Sequence, residues 1–261
     1  MRSDLVWKRR VFSIGNAHHD NKMMMKQAIK AAFNRCGLEV RRLTESPQHN
    51  LLGLRSLEIR TVVDAGANEG QFARFITTAL PGVRVYSFEP LPGPFAKLKK
   101  WADSLSQRNV VPFNVGLGTE AGGIEMFEHV DLTGHSSLLQ TSDLSHSLYP
   151  QTKQQRSVRV EISRLDDMLD NGAISLNPET LFKLDVQGYE DRVLRGASKV
   201  LSKSRACLLE VNLEPLYESQ ATFEGLFQIL IGAGYRYAGC FSQGYHANGR
   251  VIGGDALFVR Y

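Results

Sequence analysis

The sequence predicts an α/β fold in which helices cover a parallel sheet. From Thr61 onward, short apolar and β-branched runs alternate with segments of helical periodicity, which is typical of strands joined by crossover helices. The 261 residues, 43% of them hydrophobic, suffice for one sizeable domain with an appendage. We therefore expect a basic N-terminal helical extension over residues 1–52 and an α/β domain over residues 53–261.

The N-terminal extension carries the excess positive charge of the chain. Residues 1–52 hold ten Lys and Arg against four Asp and Glu, whereas the remainder holds 21 against 23. Apolar side chains recur at three- and four-residue steps from Met25 to Cys36, and Gly37 follows as a helix C-cap. This pattern predicts one amphipathic helix. Its apolar stripe docks on the α/β domain or, in the alternative interpretation, lies on an anionic membrane surface.

Seven strands are predicted in the α/β domain, with helices between most of them. They lie near residues 61–65, 83–89, 109–115, 180–186, 206–212, 235–240 and 255–260. The stretch 131–157 is polar and rich in Ser, Thr and Gln, so we expect an insertion or lid there. Two shorter β-like runs, GIEMFEHV and RSVRVEISRL, flank this stretch and predict a β-ribbon outside the main sheet.

The turn after the first predicted strand, in TVVDAGANEG, differs from the dinucleotide fingerprint that it resembles. The GxGxxG fingerprint needs a second glycine where its backbone approaches a pyrophosphate, and it avoids a neighbouring carboxylate. Here Asn68 replaces that glycine and Asp64 precedes the turn. Asn tolerates left-handed backbone angles, so the tight turn survives, while Asp64 favours a cationic ligand group. S-Adenosylmethionine offers an ammonium and a sulfonium without phosphate, and we expect it as the cofactor.

A second carboxylate indicates an adenosine ligand. Glu89 ends the strand in VRVYSFEP, 19 residues after Gly70, where a carboxylate can accept hydrogen bonds from both hydroxyls of a ribose. NAD would use such an acid too, so Glu89 does not choose between the two cofactors. The plainer interpretation is a tight strand-to-helix turn at Gly66 and Gly70, with Glu89 as a helix cap.

Several short pieces of this sequence carry a family resemblance. They are VVDAGANEG, FEP, NVGLG, the serine pair at 136 and 137, LFKLDVQGYE, VLRGA and LLEVN. Over residues 61–260 they resemble the FkbM family of S-adenosylmethionine-dependent methyltransferases. KLDVQGYE is the most specific piece, and in it Gln187 stands where the family commonly has Glu. A role that depends on that acidic side chain is therefore not carried over to Gln187.

The resemblance implies the class I methyltransferase fold, a Rossmann-like sheet of seven strands with the last strand antiparallel and helices on both faces. It also implies methyl transfer to a hydroxyl, often of a sugar or a polyketide-type product. On the matching motifs, the residues expected to bind the cofactor are Asp64, Gly66, Ala67, Asn68, Gly70, Glu89, Pro90, Asn114, Val115 and Gly116.

Methyl transfer from a sulfonium to an alcohol needs an in-line approach and benefits from a base. Asp185, at the carboxyl end of a predicted central strand, is a candidate base. Lys183 shares its face and favours the ionised carboxylate, which suits an anchor for cofactor or substrate equally well. His135 in the lid is the alternative base. The residues expected to bind the acceptor are Ser136, Ser137, Lys183 and Glu210.

No metal is expected. Asp185, Glu190 and Glu210 offer oxygen ligands, but no loop spacing demands a cation. Glu190 is instead expected in the first turn of the following helix, where an acid interacts favourably with the helix dipole.

Other classes of protein fit the sequence less well. Asp64 and Asn68 disfavour a nicotinamide-dependent oxidoreductase, whereas a non-catalytic protein that binds S-adenosylmethionine would keep every cofactor residue. The absence of a nucleic-acid recognition motif argues against a nucleic-acid partner, so a small molecule or glycan is the expected acceptor. No apolar run of about 18 residues and no signal-peptide pattern occur, so a cytoplasmic location with the three cysteines reduced is expected.

Overall fold

The computed structural model describes residues 16–40, 42 and 45–261, without the side chains of residues 16–23 and 48. The chain divides into two compact units, Met1–Ser46 and Pro47–Tyr261. The second unit begins six residues before the boundary predicted from the sequence. Among the described residues, no helix is both long enough and apolar enough to cross a membrane.

Within its described residues, the first unit contains the long helix α1 (Asn16–Arg35). Gly37 follows it with φ +74°, a left-handed conformation that suits glycine, so the predicted helix and its C-cap are confirmed. The apolar side chains Met25, Ile29 and Phe33 are exposed. The docking or membrane role expected for this stripe remains a prediction.

The second unit alternates strands and helices, as predicted. Its helices are α2 (Pro47–Asn50), α3 (Gln71–Ala79), α4 (Pro92–Asp103), α5 (Asp143–Leu148), α6 (Leu165–Asp170), α7 (Glu190–Arg195), α8 (Ser198–Lys203) and α9 (Phe223–Gly232), with 3₁₀ helices at Leu51–Leu57, Thr133–His135 and Pro150–Lys153. Its strands are β1 (Thr61–Ala65), β2 (Arg84–Phe88), β3 (Val110–Phe113), β4 (Gly116–Leu117), β5 (Gly122–Glu128), β6 (Arg156–Ser163), β7 (Thr180–Leu184), β8 (Ala206–Asn212), β9 (Arg236–Tyr245) and β10 (Val251–Val259).

The main sheet has seven strands in the order β3-β2-β1-β7-β8-β10-β9. Strands β3 to β8 in this order pair in parallel, while β10 runs antiparallel to both β8 and β9. The seven predicted strands and the antiparallel last strand are therefore confirmed. The chain builds outward from β1 in one direction and from β7 in the other, so a crevice opens between the carboxyl ends of these two strands.

Both faces of the main sheet are covered. Strands β1 and β7 are buried along their whole length, and alternate residues enter different cores because strand side chains point to opposite faces in turn. One core contains Val63 and Phe182 with residues of α6 to α9. The other contains Val62 and Leu181 with Leu51, residues of α3 and the end of α4.

The predicted β-ribbon is present, and it has a third strand that was not predicted. Strands β5 and β6 pair antiparallel, and the two-residue strand β4 pairs in parallel with β6. The predicted insertion, residues 131–157, contains the 3₁₀ helices at Thr133–His135 and Pro150–Lys153 and the helix α5. Single β-bridges join this segment to the rest of the unit, between Phe127 and Ser137 and between Thr141 and Tyr217.

Candidate active site

A cavity of about 420 Å³ lies at the carboxyl ends of β1, β2 and β7, where open α/β sheets place their ligands. Its walls combine glycine-rich turns, the start of the insertion and an aromatic patch. The residues that line it include Gly66, Ala67, Asn68, Phe72, Phe75, Glu89, Pro90, Leu91, Gly116, Leu117, Met126, Thr133, Ser136, Lys183, Asp185, Gln187, Phe241 and Asp255.

The turn after β1 has the left-handed backbone that the sequence suggests. Gly66, Asn68 and Gly70 have φ of +75°, +46° and +88°, respectively. The backbone N–H groups of Gly66 and Ala67 donate to the Phe88 carbonyl, which fixes the turn against β2. A Cβ on Gly66 would lie 1.8 Å from the Asp185 carbonyl oxygen, so only glycine fits there. Gly70 does not line the cavity.

Glu89 is a buried carboxylate that lines the cavity. Its Oε2 accepts a hydrogen bond from the Asn68 backbone N–H at 2.8 Å, and its Oε1 accepts one from the Leu91 N–H at 2.8 Å. Burial raises the pKa of Glu89 to about 7, although these two hydrogen bonds oppose the shift. Each oxygen keeps a lone pair for a further donor, so the carboxylate can receive two hydroxyl groups.

The turn after β3 supports the Glu89 side of the cavity. The Asn114 amide donates to the carbonyls of Glu89 and Pro90, at 2.9 Å and 3.0 Å. Pro90 and Gly116 line the cavity, whereas Asn114 and Val115 do not. Asn114 therefore stabilises the cavity wall through hydrogen bonds to its backbone, without lining the cavity itself.

Asp64 has a partner within the protein. It is fully buried, and its Oδ1 lies 3.1 Å from Nζ of Lys183, its register neighbour on β7. Burial raises the pKa of Asp64, and the nearby ammonium opposes that shift. Burial also disfavours the ammonium, but the attraction of Asp64 and Asp185 outweighs it and raises the pKa of Lys183. Asp64 does not line the cavity, and Lys183, which does, also donates to the Gly66 carbonyl at 3.0 Å.

Asp185 belongs to a polar cluster at the ends of β7 and β8. Its Oδ2 lies 3.5 Å from Nζ of Lys183, and its Oδ1 accepts a hydrogen bond of 2.7 Å from the Gln187 amide. The same amide donates to Oε2 of Glu210 at 2.7 Å. Burial raises the pKa of Glu210 well above its usual range, with further contributions from neighbouring carboxylates. Asp185 faces the cavity, whereas Glu210 stands behind Gln187.

The start of the insertion reaches the turn after β1. Thr133 Oγ1 donates to the Asn68 side-chain oxygen at 3.1 Å. Ser136 lines the cavity and accepts from the His129 backbone N–H at 3.0 Å. Ser137 does not line it, because its hydroxyl donates to the Gln187 carbonyl at 2.7 Å.

His135 packs its ring on Tyr149, with ring centroids 4.6 Å apart, and does not line the cavity. Burial lowers the pKa of the His135 ring, and a neighbouring histidine adds to that effect. Within the described residues its Nδ1 is buried without a hydrogen-bond partner. A role as base would require the ring to turn toward the crevice.

Glu190 begins α7, as the sequence suggested. Its Oε1 accepts hydrogen bonds from the backbone N–H groups of Val186 and Gly188, at 3.1 Å and 3.2 Å. Burial raises the pKa of Glu190 to about 7. No group of three or more His, Cys, Asp or Glu within the described residues is arranged to hold a metal ion.

Part of the cavity wall was not predicted from the sequence. Phe75 of α3 contacts Phe241 of β9 with their ring centroids 5.9 Å apart in an edge-on arrangement, and Phe72 packs beside Phe75 with centroids 6.2 Å apart. Asp255 of β10 also lines the cavity and accepts a hydrogen bond from Ser242. The i, i+3 spacing of Phe72 and Phe75 is a signal that was present in the sequence. No sequence pattern near Asp255 or Phe241 indicates that they line the cavity, because their place in the cavity wall depends on how the strands of the sheet are arranged.

The sheet order, the antiparallel β10 and a cavity at the point where strand order reverses define a class I methyltransferase fold. Residues 64–237 match the family model described as the methyltransferase FkbM domain. Because this match covers more than half of the chain, the chain belongs to the FkbM methyltransferase domain family.

Individual relatives are similar over part of their length. Methyltransferase 1 of Beauveria bassiana is 28% identical over 143 residues, which cover 52% of this chain and 57% of the relative. The 2-O-methyltransferase NoeI of Sinorhizobium fredii is 27% identical over 177 residues, which cover 65% of this chain and 70% of the relative. The hexuronic acid methyltransferase AglP of Haloferax volcanii is 23% identical over 149 residues, which cover 57% of this chain and 54% of the relative. The chain thus spans little more than half the length of the first and third of these relatives.

A solved structure of an FkbM methyltransferase from Methylobacillus flagellatus aligns with a TM-score of 0.48 and 16% identity. The alignment covers 77% of this chain and 44% of that chain.

Proposed function

We propose that this chain is an S-adenosylmethionine-dependent O-methyltransferase that acts on a hydroxyl of a sugar, a glycan or a similar polyhydroxylated molecule. Family membership supports methyl transfer. The observation that carries the cofactor assignment is Glu89, a buried acid that lines the cavity beside the left-handed turn at Gly66 and Asn68.

The residues of the cavity fit this cofactor. Glu89 would receive the two ribose hydroxyls, and the backbone around Gly66 and Ala67 would contact the methionine part. The adenine would rest against the apolar side chains of Leu91 and Leu117, which line the same wall. When bound, S-adenosylmethionine supplies an electrophilic methyl group on a sulfonium.

The charge of the site also supports a cationic cofactor. Asp64, Asp185, Glu210 and Asp255 surround one ammonium, that of Lys183, so the carboxylates outnumber the positive charge where they are ionised. A buried excess of negative charge favours a cation and disfavours a pyrophosphate. The negative electrostatic potential of these carboxylates, rather than a direct contact with Asp64, argues against NAD.

In this proposal Asp185 holds the acceptor hydroxyl and takes its proton as the oxygen attacks. It lines the cavity at a strand end, and Lys183 stabilises its negative charge from one side. Proton removal by a positioned base contributes about 100- to 10,000-fold to such reactions. The start of the insertion, with Thr133 and Ser136 at the cavity, would supply hydrogen bonds to a hydroxylated acceptor. The names of two relatives, a 2-O-methyltransferase and a hexuronic acid methyltransferase, agree with that acceptor class.

The cofactor assignment is tested by calorimetry of the full chain with S-adenosylhomocysteine and, separately, with NAD. We expect binding of the first at tens of micromolar or tighter and no heat from the second. Glu89→Ala should weaken binding of S-adenosylhomocysteine by about 1.5 to 3 kcal/mol, as expected for lost hydrogen bonds to a charged group. Heat from NAD alone would overturn the assignment.

Turnover is tested with methyl glucoside and methyl glucuronide as acceptors, by following transfer of a labelled methyl group. Asp185→Asn should lower kcat by about 100-fold or more while cofactor affinity stays within threefold. Asp103→Asn, a change at an exposed helix end, is the matched control. Normal turnover in Asp185→Asn would remove Asp185 as the base and favour His135. Loss of cofactor binding would identify Asp185 as an anchor.

A non-catalytic protein that binds S-adenosylmethionine is the second candidate. One observation favours it, because both oxygens of Asp185 already have partners in Lys183 and Gln187. Cofactor binding without methyl transfer to any hydroxylated acceptor would support this candidate over the enzyme.

A further inference from the structure

Gln187 occupies an unusual place in the turn after β7. It is buried and has φ +55°, a left-handed conformation that costs a residue with a Cβ about 1 kcal/mol or more. The Ser137 hydroxyl donates to its carbonyl at 2.7 Å, which ties the turn to the insertion. Contacts around Gln187 must therefore stabilise a backbone that the residue does not prefer by itself.

Both polar atoms of the Gln187 side chain are hydrogen-bonded. Its amide nitrogen donates to Asp185 Oδ1 and to Glu210 Oε2, each at 2.7 Å. Its amide oxygen accepts from the Tyr217 hydroxyl. Because the Tyr217 hydroxyl donates to the amide oxygen, the NH₂ group faces the two acids, and each acid accepts through a carboxyl oxygen. The same hydroxyl lies 3.2 Å from the His135 carbonyl, which belongs to the insertion.

The amide of Gln187 lies among several ionisable side chains, so it affects how much negative charge Asp185 and Glu210 can carry. The other titratable groups that act on Asp185 and Glu210 come from several elements: Asp64 on β1, Lys183 on β7, Glu190 at the start of α7, Asp255 on β10, Tyr217 after β8 and His135 in the insertion. Among these, only Lys183 is a fixed cation. An amide that donates to both acids lowers the cost of keeping them ionised side by side.

We propose that Gln187 is a positioning residue that fixes the orientation of Asp185 and Glu210 and connects them through Tyr217 to the insertion. Its role in methyl transfer rests on the proposed function above. Gln187 does not take part in the transfer itself; it sets the direction in which Asp185 presents its free lone pairs to the cavity. The position of the insertion and the alignment of Asp185 are then coupled, because the Gln187 side chain contacts Asp185 directly and reaches the insertion through the Tyr217 hydroxyl.

The substitution Gln187→Glu tests whether residue 187 bridges Asp185 and Glu210, and this test needs no measurement of turnover. Glutamate has nearly the same shape, but when ionised it cannot donate and would place a third carboxylate against Asp185 and Glu210. This cluster would retain a proton in the folded state that the unfolded chain releases, so the folded form binds more protons and its stability falls as pH rises. The deficit in melting temperature relative to wild type should be at least twofold larger at about pH 8.5 than at about pH 6.

The matched control is Gln243→Glu, which adds the same charge at an exposed position on β9. It should show no such trend with pH. A deficit for Gln187→Glu that is equal at both pH values would overturn the proposal, because it would show that the side chain of residue 187 does not face the two acids.

Turnover then tests the positioning role. With methyl glucuronide as acceptor, saturating cofactor and a chelator to exclude cation binding by the new carboxylate, kcat of Gln187→Glu should fall by about tenfold or more at pH 8.5. It should recover in part at about pH 6, where the introduced side chain is protonated and donates again. Gln187→Met, which loses the amide without gaining charge, should lower kcat equally at both pH values. Cofactor affinity should stay within threefold in both variants.

Unchanged kcat in Gln187→Glu would refute the positioning role. If wild type transfers no methyl group to any acceptor, the proposed function fails, whereas the pH dependence of melting still decides whether Gln187 bridges the two acids.

Discussion

At the scale of single residues, Glu89 combines two properties that make its contribution measurable. It lines the cavity with a lone pair free on each oxygen, and its pKa is raised to about 7 by burial. Ribose hydroxyls donate to the ionised carboxylate more strongly than to the protonated acid. Ligand binding should therefore be coupled to loss of a proton from this side chain.

We predict that an adenosine ligand binds more tightly as pH rises from about 6 to 8, by up to about tenfold, because ionised Glu89 is the preferred partner of the hydroxyls. Methylthioadenosine is a suitable probe, since it has no group that titrates near neutral pH. Calorimetry across this range measures the effect. In Glu89→Gln the affinity should be weaker and flat with pH, and a slope equal to that of wild type would assign the proton to another group.

The pair of Lys183 and Asp64 leads to a prediction on stability. Both side chains are buried, and removal of one partner from a buried pair leaves an uncompensated charge. Lys183→Met should lower the free energy of unfolding by about 3 to 5 kcal/mol at neutral pH. Denaturant titration measures this loss, and a second change in the same chain, Asp64→Asn, should restore part of it.

The control for that prediction is Lys97→Met. Lys97 lies 2.6 Å from Glu69, but its side chain is 66% exposed, so its loss should cost less than about 1 kcal/mol. Equal losses for the two lysine variants would show that burial does not set the strength of the Lys183 pair.

The acids proposed for the site are marked by local signals in the sequence, whereas their partners are not. Asp64, Glu89 and Asp185 stand next to glycine turns and strand ends, which are local signals. The pairing of Asp64 with Lys183 depends on the register between β1 and β7, more than a hundred residues apart in the chain. That register is set by the packing of the whole sheet and could not be read from either segment alone.

At the scale of elements, Ser137 is one of the residues whose hydrogen bonds join the insertion to neighbouring strands and turns. Ser137 forms a β-bridge with Phe127, donates to the Gln187 carbonyl and accepts from the Leu139 N–H at 3.0 Å. Its side chain is 1% exposed. The hydroxyl therefore satisfies two buried backbone groups that would otherwise lack a partner.

We predict that Ser137→Ala lowers the free energy of unfolding by about 1 to 3 kcal/mol, the usual cost of leaving a buried polar group without a hydrogen bond. Hydrogen exchange should quicken at backbone amides of residues 131–157 while those of β1 and β7 keep their protection. Ser104→Ala removes an exposed hydroxyl that also bonds a carbonyl, and it should change stability by less than about 0.5 kcal/mol. Uniform exchange across the domain in Ser137→Ala would contradict a local role.

The strands were predictable where burial makes them continuous apolar runs, as in β1, β7 and β8. The prediction was less accurate for β9 and β10, which run as an antiparallel hairpin beyond the predicted segments. The extra residues mix aromatic and apolar side chains, such as Phe241 and Ile252, with polar residues and glycines, and the pairing shifts register at three places along the hairpin. Such irregular pairing has no signature in local composition. The two-residue strand β4 was missed because it is too short to have a pattern.

At the scale of the whole molecule, the second compact unit includes a segment that composition assigns to the extension. Leu51 is completely buried and Leu54 is 1% exposed, both within the core beneath α3. Arg55 donates to the Ala79 carbonyl at 2.9 Å. Residues 47–57 thus cover one face of the sheet, and a boundary at residue 53 would cut through this cover.

We predict that a chain of residues 47–261 is more stable than one of residues 53–261 by about 2 to 5 kcal/mol, the usual cost of losing a buried leucine from a core. Thermal and denaturant unfolding of the two chains measure the difference. Leu51→Ala in the full chain should reproduce most of the loss. If the two shortened chains unfold alike, the segment 47–52 does not contribute to the core, and the domain begins at residue 53.

The close approach of Gly66 to the Asp185 carbonyl also bears on how this protein can change over evolution or by design. The turn expected to hold the cofactor and the turn expected to hold the acceptor touch through backbone atoms, with no side chain between them to absorb a shift. Neither turn can lengthen, tilt or exchange for a homologous one while the other stays in place. New acceptor preferences should therefore arise in the insertion and in the aromatic wall, and a transplanted active site should succeed only when both turns are moved together.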